Sequence, residues 1–198
     1  MYLKNLLAAV ADLHEMPVEV EDMASALIDA GCQDSIIFHP VDADAGTLQG
    51  VFYQYTTKRG VYAAPDFVTL IVYSENLSID WQRMVCCKEL IHACDKVAEQ
   101  TNTPEEVQSL LDKVLGPLTT EDLGLPDLMA LKDKLAIYQA LAILFPLTAR
   151  DQALEKIKQG VTPEEIARWV CLPLPLVTMV LDADWPSIRQ DLLDGWGE

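Results

Sequence analysis

Thr69-Leu70-Ile71-Val72-Tyr73, then Glu75-Asn76-Leu77-Ser78, Arg83, and finally Lys88-Glu89-Leu90-Ile91-His92, form the stretch whose reading decides the fold. The first run extends to Phe67 and is β-branched and aromatic, which predicts a strand. Ser78 or Asp80 then caps a helix reaching to about residue 100. On that helix Met84, Cys87, Ile91, Cys94 and Ala98 recur at helical spacing and make a stripe for burial. Lys88, Glu89 and His92 fall on the edge beside the stripe, where a side chain can face a cleft.

Outward from this unit, Leu3, Leu6, Leu7, Val10 and Leu13 predict a first helix. Met23, Ala26, Leu27 and Ala30 predict a second, with Gly31 as its C-terminal stop. Ser35 to Val41 and Gly50 to Thr57 are two more strands, and an antiparallel sheet is the economical arrangement for three strands joined by loops. Downstream, Thr103-Pro104-Glu105-Glu106 and Thr162-Pro163-Glu164-Glu165 are helix-starting capping boxes with proline at the first helical position. A helix from about Pro126 to Phe145 is stopped by Pro146. A short helix to Val170, a turn at residues 171–175 and a stretch from Leu176 complete the chain, and the tail after Trp185 reads as peripheral.

The chain has 198 residues, 51% of them hydrophobic, enough for one core with a small helical appendage. Its formal net charge of −17 disfavours nucleic acid and anionic membrane surfaces as partners and is compatible with a basic protein. The N-terminal segment reads as an amphipathic helix rather than a secretion signal, and no window has the apolar length of a membrane span. The five cysteines, Cys32, Cys86, Cys87, Cys94 and Cys171, are odd in number and lack CxxC spacing. They fit reduced thiols in a cytoplasmic protein better than disulfides or a zinc cluster.

The chemistry is concentrated in Lys88-Glu89-Leu90-Ile91-His92. A zinc peptidase helix carries His-Glu-x-x-His, because two imidazoles one turn apart reach one metal and the glutamate between them activates the bound water. Here the glutamate and second histidine stand at that spacing, and lysine takes the place of the first histidine. An ammonium there can stand where the metal's charge would stand and neutralise the nearby carboxylate. The bland alternatives are a solvated lysine, a surface or salt-bridged glutamate, and a packed histidine. His39, on a strand, is the other histidine that could approach the helix. No phosphate-binding loop, dinucleotide fingerprint or nucleophile elbow is present.

With its strand, Asn-Leu-Ser loop, Arg83 and Lys-Glu-Leu-Ile-His helix, the chain resembles the ImmA/IrrE-type metallopeptidases, whose helix reads His-Glu-Leu-x-His. Ala136 to Pro146 is similar to a later segment of that family, and Val161 to Leu181 looks like its following helical pair, with a longer insertion around residues 100–125. The resemblance implies a zincin-like α+β fold: a small antiparallel sheet packed on the motif helix, and a helical C-terminal half. It implies a metallopeptidase-like domain over 1–150 and a helix-turn-helix-like appendage over 151–198. The family's first zinc-ligand position falls on Lys88, the general base on Glu89, the second ligand on His92 and the third ligand, a carboxylate, on Leu135. Asp127 or Asp133 could stand in for the third.

With two of three ligands replaced, the expected reading is a pseudoenzyme with no metal cofactor. It would act by contact with a protein such as a helix-turn-helix repressor, in transcriptional, phage, mobile-element or stress regulation. One alternative is an active metallopeptidase with atypical zinc ligands that uses Glu89 as base on a repressor-like protein. Another is a toxin–antitoxin or phage accessory module. DNA binding by the appendage is not expected, because Leu176-Val177-Thr178-Met179-Val180-Leu181-Asp182 offers no basic residue to reach bases or phosphates.

Overall fold

The computed structural model describes residues 2–11, 13, 15–58, 65–92 and 125–194, with side chains in the long helix described from residue 135 onward. Two helices open the chain, α1 (Tyr2–Val10) and α2 (Val20–Asp29). Their apolar faces, Leu6, Leu7 and Val10 on one and Met23, Ala24 and Leu27 on the other, are buried. Glu21 and Asp22 sit in the first turn of α2, where carboxylates complement the helix dipole. Gly31, at φ +102°, closes the helix as expected. The Cys32 amide donates to the Leu27 carbonyl and the Gly31 amide to Ile28, the paired bonds of a Schellman stop.

The strands are β1 (Ser35–Val41), β2 (Gly50–Thr57) and β3 (Asp66–Ser74). They lie in the order β1-β3-β2, with β2 antiparallel to β3 and β1 parallel to it. The sheet is therefore mixed, and the antiparallel expectation is corrected for β1. The reason lies at one end of the sheet. Val41 is level with Ser74 and Gly50 with Tyr73, so β1 and β2 are the arms of a hairpin held apart by β3. The connecting loop passes over the end of β3: the Ser74 hydroxyl donates to the Ala43 carbonyl at 2.6 Å, and the Ser74 and Glu75 amides donate to the Gln49 and Val41 carbonyls. β3 takes the centre because it is the most apolar strand, burying Val68 and Ile71.

Alternation along the strands puts Ile36, Phe38, Phe52, Thr69, Ile71 and Tyr73 on one face. Helix α3 (Ile79–Ile91) lies across that face. His39, opposite Val72, is on the other face and exposed, so it does not approach the motif helix. On the inner face Gln54, Thr69 and Asp34 close a ring of three hydrogen bonds of 2.6–3.1 Å, which satisfies the fully buried Thr69 hydroxyl.

Helix α4 (Leu125–Leu144) packs along α3. Four shorter helices follow: α5 (Leu147–Lys158), α6 (Pro163–Val170), α7 (Leu174–Leu181) and α8 (Trp185–Asp194). The Thr162 capping box forms in both directions, with the Glu165 amide donating to the Thr162 hydroxyl and the Thr162 amide to the Glu165 carboxylate. The turn after α6 uses Cys171 at φ 51°, a left-handed position usually held by glycine. Helix α5 had no counterpart in the sequence expectations. Trp185, which opens α8, is fully buried against Tyr138, with the rings stacked at 6.3 Å; the tail after it is helical, buries Leu192 and leaves its other described side chains exposed or half-buried. The expected boundary at 150/151 falls inside α5, and one apolar cluster runs from Leu6 to Trp185. Arg150 itself is buried and donates to the Val180 and Asp182 carbonyls at 2.7 and 2.8 Å, capping the end of α7. Thr103 to Glu106, with its capping box, lies outside the described residues.

Candidate functional site

The strand–loop–helix unit is held by its own polar side chains. Asn76 donates to the Asp42 carboxylate and the Ala43 carbonyl at 2.9 and 3.0 Å, which fastens the Asn-Leu-Ser loop to the turn after β1. Gln82 reaches back from the first turn of α3 to the Glu75 and Leu77 carbonyls at 3.1 and 2.8 Å. Ser78 is the N-cap residue. Arg83 pairs with Glu19 and donates to the Val18 carbonyl, tying α3 to the start of α2.

Buried residues occur all round the last two turns of α3: Met84, Val85, Cys86, Cys87, Glu89, Leu90 and Ile91. The motif is therefore inside the molecule rather than on the edge of a stripe. The Glu89 side chain is 4% exposed, Lys88 14% and His92 13%. The Lys88 ammonium lies 2.8 Å from Glu89 Oε1. His92 Nε2 is 4.0 Å from Glu89 Oε2, too far for a hydrogen bond. Thus the three motif residues converge, with the carboxylate between a lysine that neutralises it and an imidazole within Coulombic reach.

Two residues that sequence reasoning missed complete the surroundings, both from β2. A Cβ at Gly50 would meet Val85 Cγ1 at 2.2 Å, with Glu89 Cγ at 3.3 Å and Glu89 Oε1 at 3.4 Å. The clash with Val85 is what only glycine avoids, and it lets the strand backbone lie against this turn of α3. The ring of Phe52 lies 6.0 Å from that of His92, tilted by 35°. A glycine opening an aromatic strand is a recognised sign of close backbone approach, and it was the one available signal.

Leu135 lies on α4, half-buried, one turn before the buried Gln139, whose amide nitrogen has no hydrogen-bond partner. The side chains of Asp127 and Asp133, and Cys94 and His14, lie outside the described residues. Among the described residues no group of three or more His, Cys, Asp or Glu side chains is placed to hold a metal ion. The positions that the resemblance assigns to zinc do not fit it: Leu135 has no donor atom, and the Lys88 nitrogen is engaged as an ammonium with Glu89.

The neighbouring thiol offers no nucleophile. Cys86 is buried, and burial first, then the charges of Glu89 and Glu21, push it up to about 12. Cys87 is fully buried. Among the described residues no helix is long and apolar enough to cross a membrane. Compared with protein-family models, characterised proteins and solved structures, the chain matches none.

Proposed function

We propose that the chain is a non-catalytic protein on a metallopeptidase-like scaffold of the ImmA/IrrE type. It acts by contact with another protein, in a regulatory setting such as a repressor circuit. The observation that carries this reading is the ion pair of Lys88 with the buried Glu89, at 2.8 Å. In the resemblance Glu89 holds the general-base position and Lys88 a ligand position. A lysine that bonds the base carboxylate supplies a fixed positive charge where the metal's would stand. It also ties one of the two carboxylate oxygens, Oε1, into an ion pair, which lowers the carboxylate's tendency to take a proton from water. With the base carboxylate paired to a lysine and no metal-ligand set among the described residues, the scaffold retains shape and surface, which suit recognition.

Zinc content tests this. The purified protein, dialysed against a weak chelator, should retain far less than one zinc per chain. Lys88→His combined with Leu135→Glu should gain a zinc site, since Glu89 and His92 already stand in place; neither change alone should suffice. One equivalent of zinc in the unmodified protein would overturn the pseudoenzyme reading in favour of an active peptidase with other ligands. A folded double variant with no gain in zinc affinity would overturn the assignment of Leu135.

A further inference from the structure

A concavity lies beside the first turns of α3, on the side of α2 and β1. It is a cavity of about 170 Å³, open to solvent, where the start of α2 meets the sheet and the first turns of α3. Phe38 and Tyr73 come from neighbouring strands and share the inner face of the sheet, so their rings form one wall. Ile79, Arg83 and Cys86 line the α3 side, and Glu19 and Glu21 the α2 side.

The charges sort by what already engages them. Arg83 is committed: one end of its guanidinium group is on the Glu19 carboxylate and another on the Val18 carbonyl. Cys86 and Tyr73 are neutral at ordinary pH, since burial holds both protons on and Glu21 adds to the effect at each. Glu21, Tyr73 and Cys86 line the same cavity. Among the described residues the Glu21 carboxylate makes no hydrogen bond or ion pair; Ser25 bonds only the Glu21 backbone carbonyl, and Arg83 pairs with Glu19. The cavity therefore joins two aromatic rings and an apolar rim to one uncompensated negative charge. This combination attracts a cation borne on an apolar stem, through Coulomb attraction to the carboxylate and cation–π attraction to the rings.

We infer that this cavity receives the cationic side chain, arginine or lysine, of a basic protein partner. The volume suits one such side chain, and the opening leaves room for the chain that carries it. Ile79, 64% exposed at the rim, offers apolar surface that a partner's backbone would cover and a small free amine would not. The formal net charge of −17 steers basic partners toward the molecule. The inference stands apart from the metallopeptidase reading, because none of the lining residues belongs to the Lys88–Glu89–His92 group.

The test is a titration of the isotope-labelled full chain, followed by amide and side-chain NMR shifts. The ligands are N-acetyl-Ala-Arg-Ala-amide and its lysine and norleucine counterparts. The arginine and lysine peptides should move the signals of Phe38, Tyr73, Ile79 and Cys86, and the norleucine peptide should not. Glu21→Gln changes an exposed residue and leaves the core intact; it should weaken the cationic peptides at least tenfold. Tyr73→Leu should weaken them too. Equal binding of norleucine, no shifts at these residues, or affinity unchanged in Glu21→Gln would overturn the cation site. Inorganic phosphate moving the same signals more strongly would overturn it in favour of an anion site on Arg83. Butylguanidine binding more tightly than the arginine peptide would overturn the protein partner in favour of a free small molecule.

Discussion

Lys88 and Glu89 show how much depends on a single pair when both members are inside. A buried carboxylate with its counter-charge removed loses the compensation for its desolvation. Lys88→Met should therefore destabilise the chain by about 3–5 kcal/mol, read from chemical denaturation. Adding Glu89→Gln should recover much of that loss. A cost near that of a surface pair, under about 1 kcal/mol, would mean that the pair is solvated in solution. Cys86 gives a pH-dependent counterpart. Its folded value is raised from the ordinary 9.0 to about 12, so the folded chain keeps a proton that the unfolded chain gives up. The thiol's contribution to stability is thus full below pH 9 and declines as pH rises from about 9 toward 12. Denaturation midpoints measured across that window should fall, and Cys86→Ala should flatten the fall. An unchanged slope in the variant would show that other groups carry it.

Among the elements, the contact of β2 with α3 is the most exacting. Gly50→Ala places a methyl group 2.2 Å from a methyl of Val85, a stiff β-branched side chain that cannot swing aside. The expected cost is about 1–3 kcal/mol. Val85→Ala in the same chain should relieve part of it, measurable as a coupling in a double-mutant cycle. Additive effects would place the strain elsewhere. This contact also marks the limit of what the sequence reveals. Lys88, Glu89 and His92 share a helix, so their spacing alone brings them together. Gly50 and Phe52 arrive from another element, and periodicity carries no information about which strand lies beneath a helix. The strands themselves were legible as β-branched and aromatic runs, whereas their order was not, because pairing is non-local. Helix α5 escaped notice because the residues it buries are Ala149, Arg150 and Ala153, which do not read as an apolar stripe.

For the whole molecule, the C-terminal helices raise the question of DNA. Helices α6 and α7, with the Cys171 turn, have the outline of a helix-turn-helix. The second of them buries Val177 and Val180 and exposes Pro175 and Thr178, with Asp182 at its end. From Asp151 to Glu198 there are nine acidic and four basic residues, so the surrounding surface repels phosphate. At micromolar protein in low salt, anisotropy titration should detect no binding to duplex DNA. Tight binding that Arg168→Ala and Thr178→Ala abolish would make the protein a transcription factor instead. The burial of Trp185 and the reach of Arg150 to α7 also mean that these helices are built into the core.

The hairpin split by β3 also has a history in time. β2 and β3 are close in sequence, so that pair can form early from local chain. β1 is made before either, yet Ser35 must wait for Val68 and Val41 for Ser74. Until then its apolar residues have no strand to join except β2, the neighbour that the finished sheet denies them. A folding chain that pairs β1 with β2 first has built a sound hairpin in the wrong place, and must open it before β3 can enter. The rate at which this protein folds should therefore depend on how briefly that premature hairpin lives.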